Sequence, residues 1–316
     1  MNIETRWLRV ERAEARDRSI EEAARLLGAG KLVAFPTETV YGLGARVGDE
    51  SAVRAVFRAK GRPAAVPLIV HVRDIQQARR YVREMPEVVE ELARKYWPGP
   101  LTVVLDRSEQ VPDAVTAGGG TVGIRVPDHP VALALIDALG EGIAAPSANP
   151  YGRLPPVRGE HVIHALGGRI DAVLDGGPCR GGLESTVIDA RILPAVLLRR
   201  GAMDPRQLGI SLVERVVTEY WAFDGWIRVG PSSEYARWAA RLGALKVGRM
   251  GEPEMSRKPS DVASYARWLY EGLHELWAQG CARVWVDAPP RGPEWEPIWD
   301  RLARLSKLSP PDCPPD

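Results

Sequence analysis

The feature that most constrains this chain is a series of short apolar runs separated by spacers of unequal length. Leu32 to Phe35, Pro67 to Val72, Leu101 to Leu105, Thr121 to Val126, Gly142 to Ala145, Ala172 to Leu174, Thr186 to Asp189 and Ala195 to Leu198 all have strand length and bulk. Between them, residues 17–29, 51–59, 74–95, 130–139 and 159–166 carry helical spacing, as in Ile20, Ala23, Ala24 and Leu27. Interleaving of this kind predicts an α/β or α+β sheet domain. Several spacers are too short for a crossover helix, so the pattern predicts a twisted mixed sheet rather than a regular parallel one.

The character changes near residue 205. Eight of the ten tryptophans lie between Trp221 and Trp299, and a strand pattern restarts near 244–248. Ser260 to Gln279 reads as a helix capped by a serine, with Val262, Tyr265, Ala266, Leu269, Leu273 and Leu276 in helical spacing. A strand over Arg283 to Val286 and a helix over Glu294 to Leu305 follow. The expected organisation is a catalytic domain over 1–205, a linker and candidate lid over 206–240, a small α/β domain over 241–308 and a disordered tail over 309–316. That tail holds four prolines in eight residues.

Charge and cysteine usage narrow the function. Forty-two basic against forty-one acidic residues give a net charge of +1, which excludes the strongly basic profile of a nucleic-acid coat but permits a local basic cavity. The three cysteines Cys179, Cys281 and Cys313 are widely spaced and form no C-x-x-C pair, against a disulfide framework or a zinc site. No apolar run approaches the roughly 18 residues of a membrane span, and the charged N-terminus lacks a secretion signal, so a cytoplasmic address is expected.

Three clusters carry chemical potential. In KLVAFPTETVYGLGA, Lys31 to Ala45, a strand stops at Pro36 and a polar turn with two threonines and a glutamate meets Gly42 and Gly44. Small polar groups at a strand end make a ligand rim. A tight turn needing glycine for positive φ explains the same residues, and no phosphate-loop signature is present. In FRAKGRP, Arg58, Lys60 and Arg62 could surround phosphates with charged donors, or form a solvated helix end. Strand Thr121 to Val126 puts Val122, Ile124 and Val126 on one face and Thr121, Gly123 and Arg125 on the other, a polar face inside a buried domain.

His71 follows an apolar run and by itself reads as a core histidine rather than a site residue, unless a set of partners joins it. Ser147 and Asn149 in APSANP, Ser185 and Thr186 in LESTVID, and Arg199 in LLRRGA stand beside apolar strand ends. The chain shows no nucleophile elbow, no H-E-x-x-H and no acidic cluster for a metal. Cations and small hydroxyls without a nucleophile suit phosphoryl or nucleotidyl transfer, in which positioning and electrostatic stabilisation supply the rate.

KLVAFPTETVYGLGA, KGRP with PLIVHV, WPGPLTVVL, TVGIRVPDHP, APSAN, and ESTVID with LLRRGA occur together, in the order that resembles YrdC-like threonylcarbamoyl-AMP synthases in their longer form. The resemblance covers roughly residues 15–205. It implies a YrdC-like domain with a basic concave pocket, followed by a small Rossmann-like domain. It further implies joining of L-threonine, bicarbonate and ATP into L-threonylcarbamoyladenylate with release of pyrophosphate, for later transfer to tRNA. Thr37, His71, Arg125 and Ser185 would hold threonine, Arg125 by a bidentate fork to its carboxylate. Arg58, Lys60, Thr121, Ser147 and Arg199 would hold ATP, with Lys60 and Arg62 neutralising charge during attack on the α-phosphate. Mg²⁺ would arrive with the nucleotide, and a downstream tRNA-modifying transferase, tRNA or double-stranded RNA are the implied partners.

Two departures from the family pattern stand out. The family's lid segment, of the type PGMKYRHYAP, is matched here by PSSEYARWAA, Pro231 to Ala240, where Tyr235 aligns as an ATP contact. Glu234 and Ala236 replace basic positions, and Trp238 replaces a tyrosine. Pro155 stands where the family has a serine able to reach a phosphate. Two other readings compete: a carbamoyltransferase-type enzyme that adenylates carbamoyl phosphate, and a non-enzymatic RNA-binding protein using the same basic cavity.

Overall fold

The computed structural model describes residues 3–10, 13–215, 226–241, 247–250, 259–281 and 283–306. The chain divides into two compact units: residues 1–151 with 155–217, and residues 152–154 with 218–316. The expected disordered tail lies outside the described residues.

The first unit runs β1 (Arg6–Arg9), α1 (Ala13–Gly28), β2 (Val33–Phe35), β3 (Gly42–Arg46), α2 (Glu50–Lys60), β4 (Ile69–His71), α3 (Ile75–Ala78) and α4 (Glu87–Tyr96). It continues with β5 (Leu101–Asp106), α5 (Asp113–Thr116), β6 (Thr121–Arg125), α6 (Pro130–Leu139), β7 (Ile143–Ala144) and α7 (Gly159–Leu166). β8 (Ala172–Asp175), β9 (Thr186–Asp189), β10 (Ala195–Arg199) and β11 (Leu212–Glu214) complete it. The strands form one 11-stranded sheet in the order β1-β8-β2-β3-β7-β4-β6-β5-β9-β10-β11. β4 and β6 pair in parallel and β5 and β6 antiparallel, so the sheet is mixed, as the uneven spacers required.

Local sequence explains most of these elements. α1 buries Ile20, Ala23, Ala24 and Leu27 against Val131, Ala132, Leu135 and Ile136 of α6, over Val33 and Phe35 of β2. α2 begins where the Asp49 carboxylate accepts from Ala52 N at 2.9 Å, and it ends at Gly61, whose φ of 63° only glycine adopts without strain. The helix expected across 74–95 is split into α3 and α4. Pro86 lacks an N–H and biases Met85 away from helical backbone, so the second helix can only start after it.

Gly42 and Gly44 are not turn glycines. Both lie within β3, and neither has positive φ. Their role is close packing: a Cβ on Gly44 would stand 2.7 Å from Cγ2 of Ile143 and 3.1 Å from the Phe35 ring.

The second unit holds β12 (Trp226–Gly230), α8 (Tyr235–Arg241), β13 (Val247–Met250), α9 (Val262–Ala278), β14 (Arg283–Asp287) and α10 (Glu296–Ser306). Its three strands form a parallel sheet in the order β12-β14-β13. β12 and α8 lie within the stretch expected as linker. The cap of α9 is Asp261 rather than the expected Ser260: its carboxylate accepts from Ser264 N at 2.9 Å, the three-residue reach an N-cap needs. Tyr265, Leu269, Leu273 and Leu276 form the buried stripe of α9.

Candidate active site

Strand register assembles the polar face. His71 of β4 is paired with Arg125 of β6 in parallel register. β5 is antiparallel to β6 with Val103 opposite Ile124, which puts Thr102 opposite Arg125. Thr102 is in turn paired with Val187 of β9, and Val187 with Arg199 of β10. Residues paired across a sheet share a face. One row therefore carries His71, Arg125, Thr102 and Arg199, with Ser185 on the same side two residues before Val187.

Hydrogen bonds tie this row together. The Thr102 and Ser185 hydroxyls lie 2.7 Å apart. The Arg199 guanidinium donates to the Ser185 carbonyl through Nε and to its hydroxyl through Nη2, both at 2.9 Å. Thr102 and Ser185 have no solvent exposure in this arrangement, so their hydroxyls are oriented by protein partners rather than by bulk water. Gly123 keeps the row open: a Cβ there would meet Cγ2 of Thr102 at 3.2 Å.

The turn between β2 and β3 supplies the second wall. Thr37 Oγ1 donates to the Val40 carbonyl at 2.7 Å and accepts from Thr39 N at 3.1 Å, so a side chain closes the turn. Its hydroxyl also stands 2.8 Å from that of Thr39, which accepts from Arg125 Nη2 at 2.9 Å. Arg125 further faces Glu38 at 2.7 Å, with both side chains buried. Thr37, Thr39, Glu38 and Arg125 form one connected group.

Burial and the Arg125 guanidinium push the His71 imidazole down to about 3, so the ring is neutral at physiological pH. Its edge contact with Phe35, centroids 5.8 Å apart, anchors it to the core. His71 thus combines both sequence readings: it is a core histidine by packing and a neighbour of Arg125 by register.

Lys60 ends α2 pointing inward. Its buried ammonium donates to the carbonyls of Ser147 and Asn149, and its own carbonyl accepts from Tyr151 N at 2.8 Å. Desolvation of the charge is offset by these oriented carbonyl dipoles. The 146–148 segment is also bonded to the first wall: Leu43 N donates to the Pro146 carbonyl and Ala148 N to that of Tyr41, each at 2.8 Å. The Lys60 cluster and the Thr37 turn are therefore adjacent through backbone.

The remaining candidates are placed differently. Arg58, two residues before the end of α2, is exposed. Arg62 is half-buried, donates to the Val66 and Pro67 carbonyls, and lies 5.6 Å from the Tyr151 ring centroid. Thr121 opens β6, four residues from Arg125 on the same face. Tyr235 belongs to the second unit, where its ring meets Trp285 at 6.1 Å and Arg249 at 4.6 Å.

Thr39, Glu38 and Thr102 are site residues that sequence reasoning did not select. The first two stood in the polar turn already noticed, but only the fold brings Arg125 against them. Thr102 carried the alternation of β5 as its signal, one position from the buried Leu101 and Val103.

Comparison with known proteins agrees with this geometry. A family described as telomere recombination, Sua5/YciO/YrdC, matches residues 25–201. Threonylcarbamoyl-AMP synthase of Pyrococcus abyssi is 49% identical over 200 residues, 63% of this chain and 57% of that protein. The enzyme of the same name from Bacillus subtilis is 48% identical over 193 residues, 61% of this chain and 56% of that protein. The matched stretch thus spans little more than half the length of these curated relatives. The crystal structure of P. abyssi Sua5 complexed with L-threonine superposes with a TM-score of 0.85 at 36% identity, covering 96% of this chain and 97% of that one. The chain belongs to the Sua5/YciO/YrdC family.

Proposed function

We propose that this chain is an L-threonylcarbamoyladenylate synthase, a nucleotidyltransferase that forms threonylcarbamoyl-AMP and pyrophosphate from L-threonine, bicarbonate and ATP. The observation that carries this reading is the buried Arg125 set among Thr39, Glu38 and His71, a fixed cation in a polar enclosure suited to a small carboxylate. The likeness to P. abyssi Sua5 complexed with L-threonine supports the choice of carboxylate.

In this reading Thr37, His71, Arg125 and Ser185 hold threonine. Arg58, Lys60, Thr121, Ser147 and Arg199 hold ATP, and Tyr235 joins them by resemblance alone. The deprotonated threonine amine condenses with bicarbonate, forming the C–N bond of a carbamate as a C–O bond breaks and water leaves. A carbamate oxygen then attacks the α-phosphorus as the bond to pyrophosphate breaks. Lys60 and Arg62 offset the charge that develops there. Lys60 is held by carbonyls, so little reorganisation accompanies the reaction. Mg²⁺ belongs to the triphosphate, and among the described residues no three His, Cys, Asp or Glu side chains cluster to hold an ion. Transfer of the product to tRNA by a further enzyme, and a cytoplasmic setting, complete the proposal. No helix among the described residues is long and apolar enough to cross a membrane.

Mass spectrometry of the products from ATP, bicarbonate and single amino acids tests the reading. The expected outcome is an adenylate of the threonine carbamate with equimolar pyrophosphate. Turnover with carbamoyl phosphate in place of threonine and bicarbonate would replace it by the carbamoyltransferase reading, and absence of any adenylate would reject both.

A further inference from the structure

Glu38 is a buried charged group of the first unit whose carboxylate lacks a directed hydrogen bond. Its carboxylate is buried, and although it lies 2.7 Å from Arg125 Nη2, neither of its oxygens receives a hydrogen bond. Arg125 Nη2 donates to Thr39 Oγ1 at 2.9 Å, and Arg125 Nε makes a long contact of 3.4 Å to the Gly99 carbonyl. A buried carboxylate offers about four acceptor sites, and beyond the ion pair with Arg125 none of those of Glu38 has a directed donor. The turn that positions Glu38 does so through backbone: the Glu38 carbonyl accepts from Gly181 N at 2.8 Å and that of Thr39 from Gly182 N at 2.9 Å. The carboxylate is thereby fixed in place without being saturated.

Arg125 and Glu38 side by side present a positive and a negative group in contact. An α-amino acid carries a carboxylate and an ammonium on one carbon, the same two charges in complementary order. A ligand carboxylate on Arg125 would bring the ammonium, with its three donors, against the acceptor sites of Glu38 that Arg125 does not fill.

We infer that Glu38 binds the α-ammonium group of the amino acid substrate, and so makes the site specific for amino acids over other small carboxylates. This inference rests on the assignment of Arg125 to the substrate carboxylate. Glu38 acts here as a substrate-binding residue that determines specificity. After carbamate formation the nitrogen retains an N–H, and the same carboxylate can accept it.

The test is calorimetric binding of L-threonine and of its deaminated analogue, (R)-3-hydroxybutanoate, to the full chain without ATP in carbon dioxide-free buffer. The unaltered protein is expected to prefer threonine by roughly 10- to 100-fold, the range for a charged hydrogen-bonded contact. Glu38→Gln should lose most of that preference by weakening threonine alone, leaving the analogue within about twofold of its original affinity. A parallel fall for both ligands would overturn the inference, because it would mean that Glu38 only holds Arg125. Equal affinity of the unaltered protein for the two ligands would overturn it without any substitution, and so independently of whether the variant folds. Failure of the unaltered protein to bind threonine at all would instead reject the assignment of Arg125 on which the inference rests.

Discussion

At the scale of single residues, burial decides what each ionisable group does. His71 is neutral because burial and Arg125 both disfavour its proton, and this has a measurable consequence. Its folded value, down to about 3, lies below the ordinary histidine value of about 6.5, so the unfolded chain binds the extra proton between them. The stability this residue contributes is present above about pH 6.5 and is lost as pH falls toward 3. Urea titrations from pH 7 to pH 4 should show the parent losing stability with a slope of up to about 1.4 kcal/mol per pH unit more than His71→Phe. Parallel curves for the two proteins would contradict the burial account. Arg125 illustrates the complementary case of a buried guanidinium set against partners, Glu38 at 2.7 Å and Thr39 at 2.9 Å.

At the scale of elements, the site depends on how closely strands approach. β3 reaches β2 and β7 only because Gly44 presents no side chain to Phe35 and Ile143. Gly44→Ala is expected to destabilise the protein by about 1–3 kcal/mol, the usual range for overpacking, as read by chemical denaturation. Ile143→Ala should recover part of that loss in the double variant, since Cγ2 of Ile143 is the atom in the way. Simple additivity would point to a backbone effect instead. The same closeness explains why the Thr37 turn can bond to the 146–148 segment and so adjoin the Lys60 cluster.

At the scale of the molecule, two sheets mean two cores. The mixed sheet of the first unit carries the Arg125 row, whereas the second unit organises a parallel three-stranded sheet around Trp285, Tyr265 and Leu269. Within it, Asp287 at the end of β14 accepts from Ser232 at 2.6 Å and from the Trp285 indole at 3.0 Å. Independent cores unfold with their own enthalpies, so scanning calorimetry should resolve more than one transition. A single transition with equal calorimetric and van't Hoff enthalpies would show that the units melt as one.

The sequence by itself determined the fold class, most of the first unit's elements and part of the candidate site. Apolar runs, helical spacing and the Thr121 to Val126 alternation found eight strands of the first unit, the mixed sheet and the polar face of β6, because period and spacer length are local properties, but missed β1, β3 and β11. Thr37, Lys60, His71, Arg125 and Ser185 were all selected before any geometry. Tertiary structure alone decided which of them touch. It turned Gly42 and Gly44 from turn glycines into packing glycines, split the 74–95 helix at Pro86, and placed Tyr235 within the second unit's own cluster. Above all it set Glu38 against Arg125, two residues 87 positions apart in sequence, since bringing the β2–β3 turn onto β6 depends on strand order rather than on any local pattern.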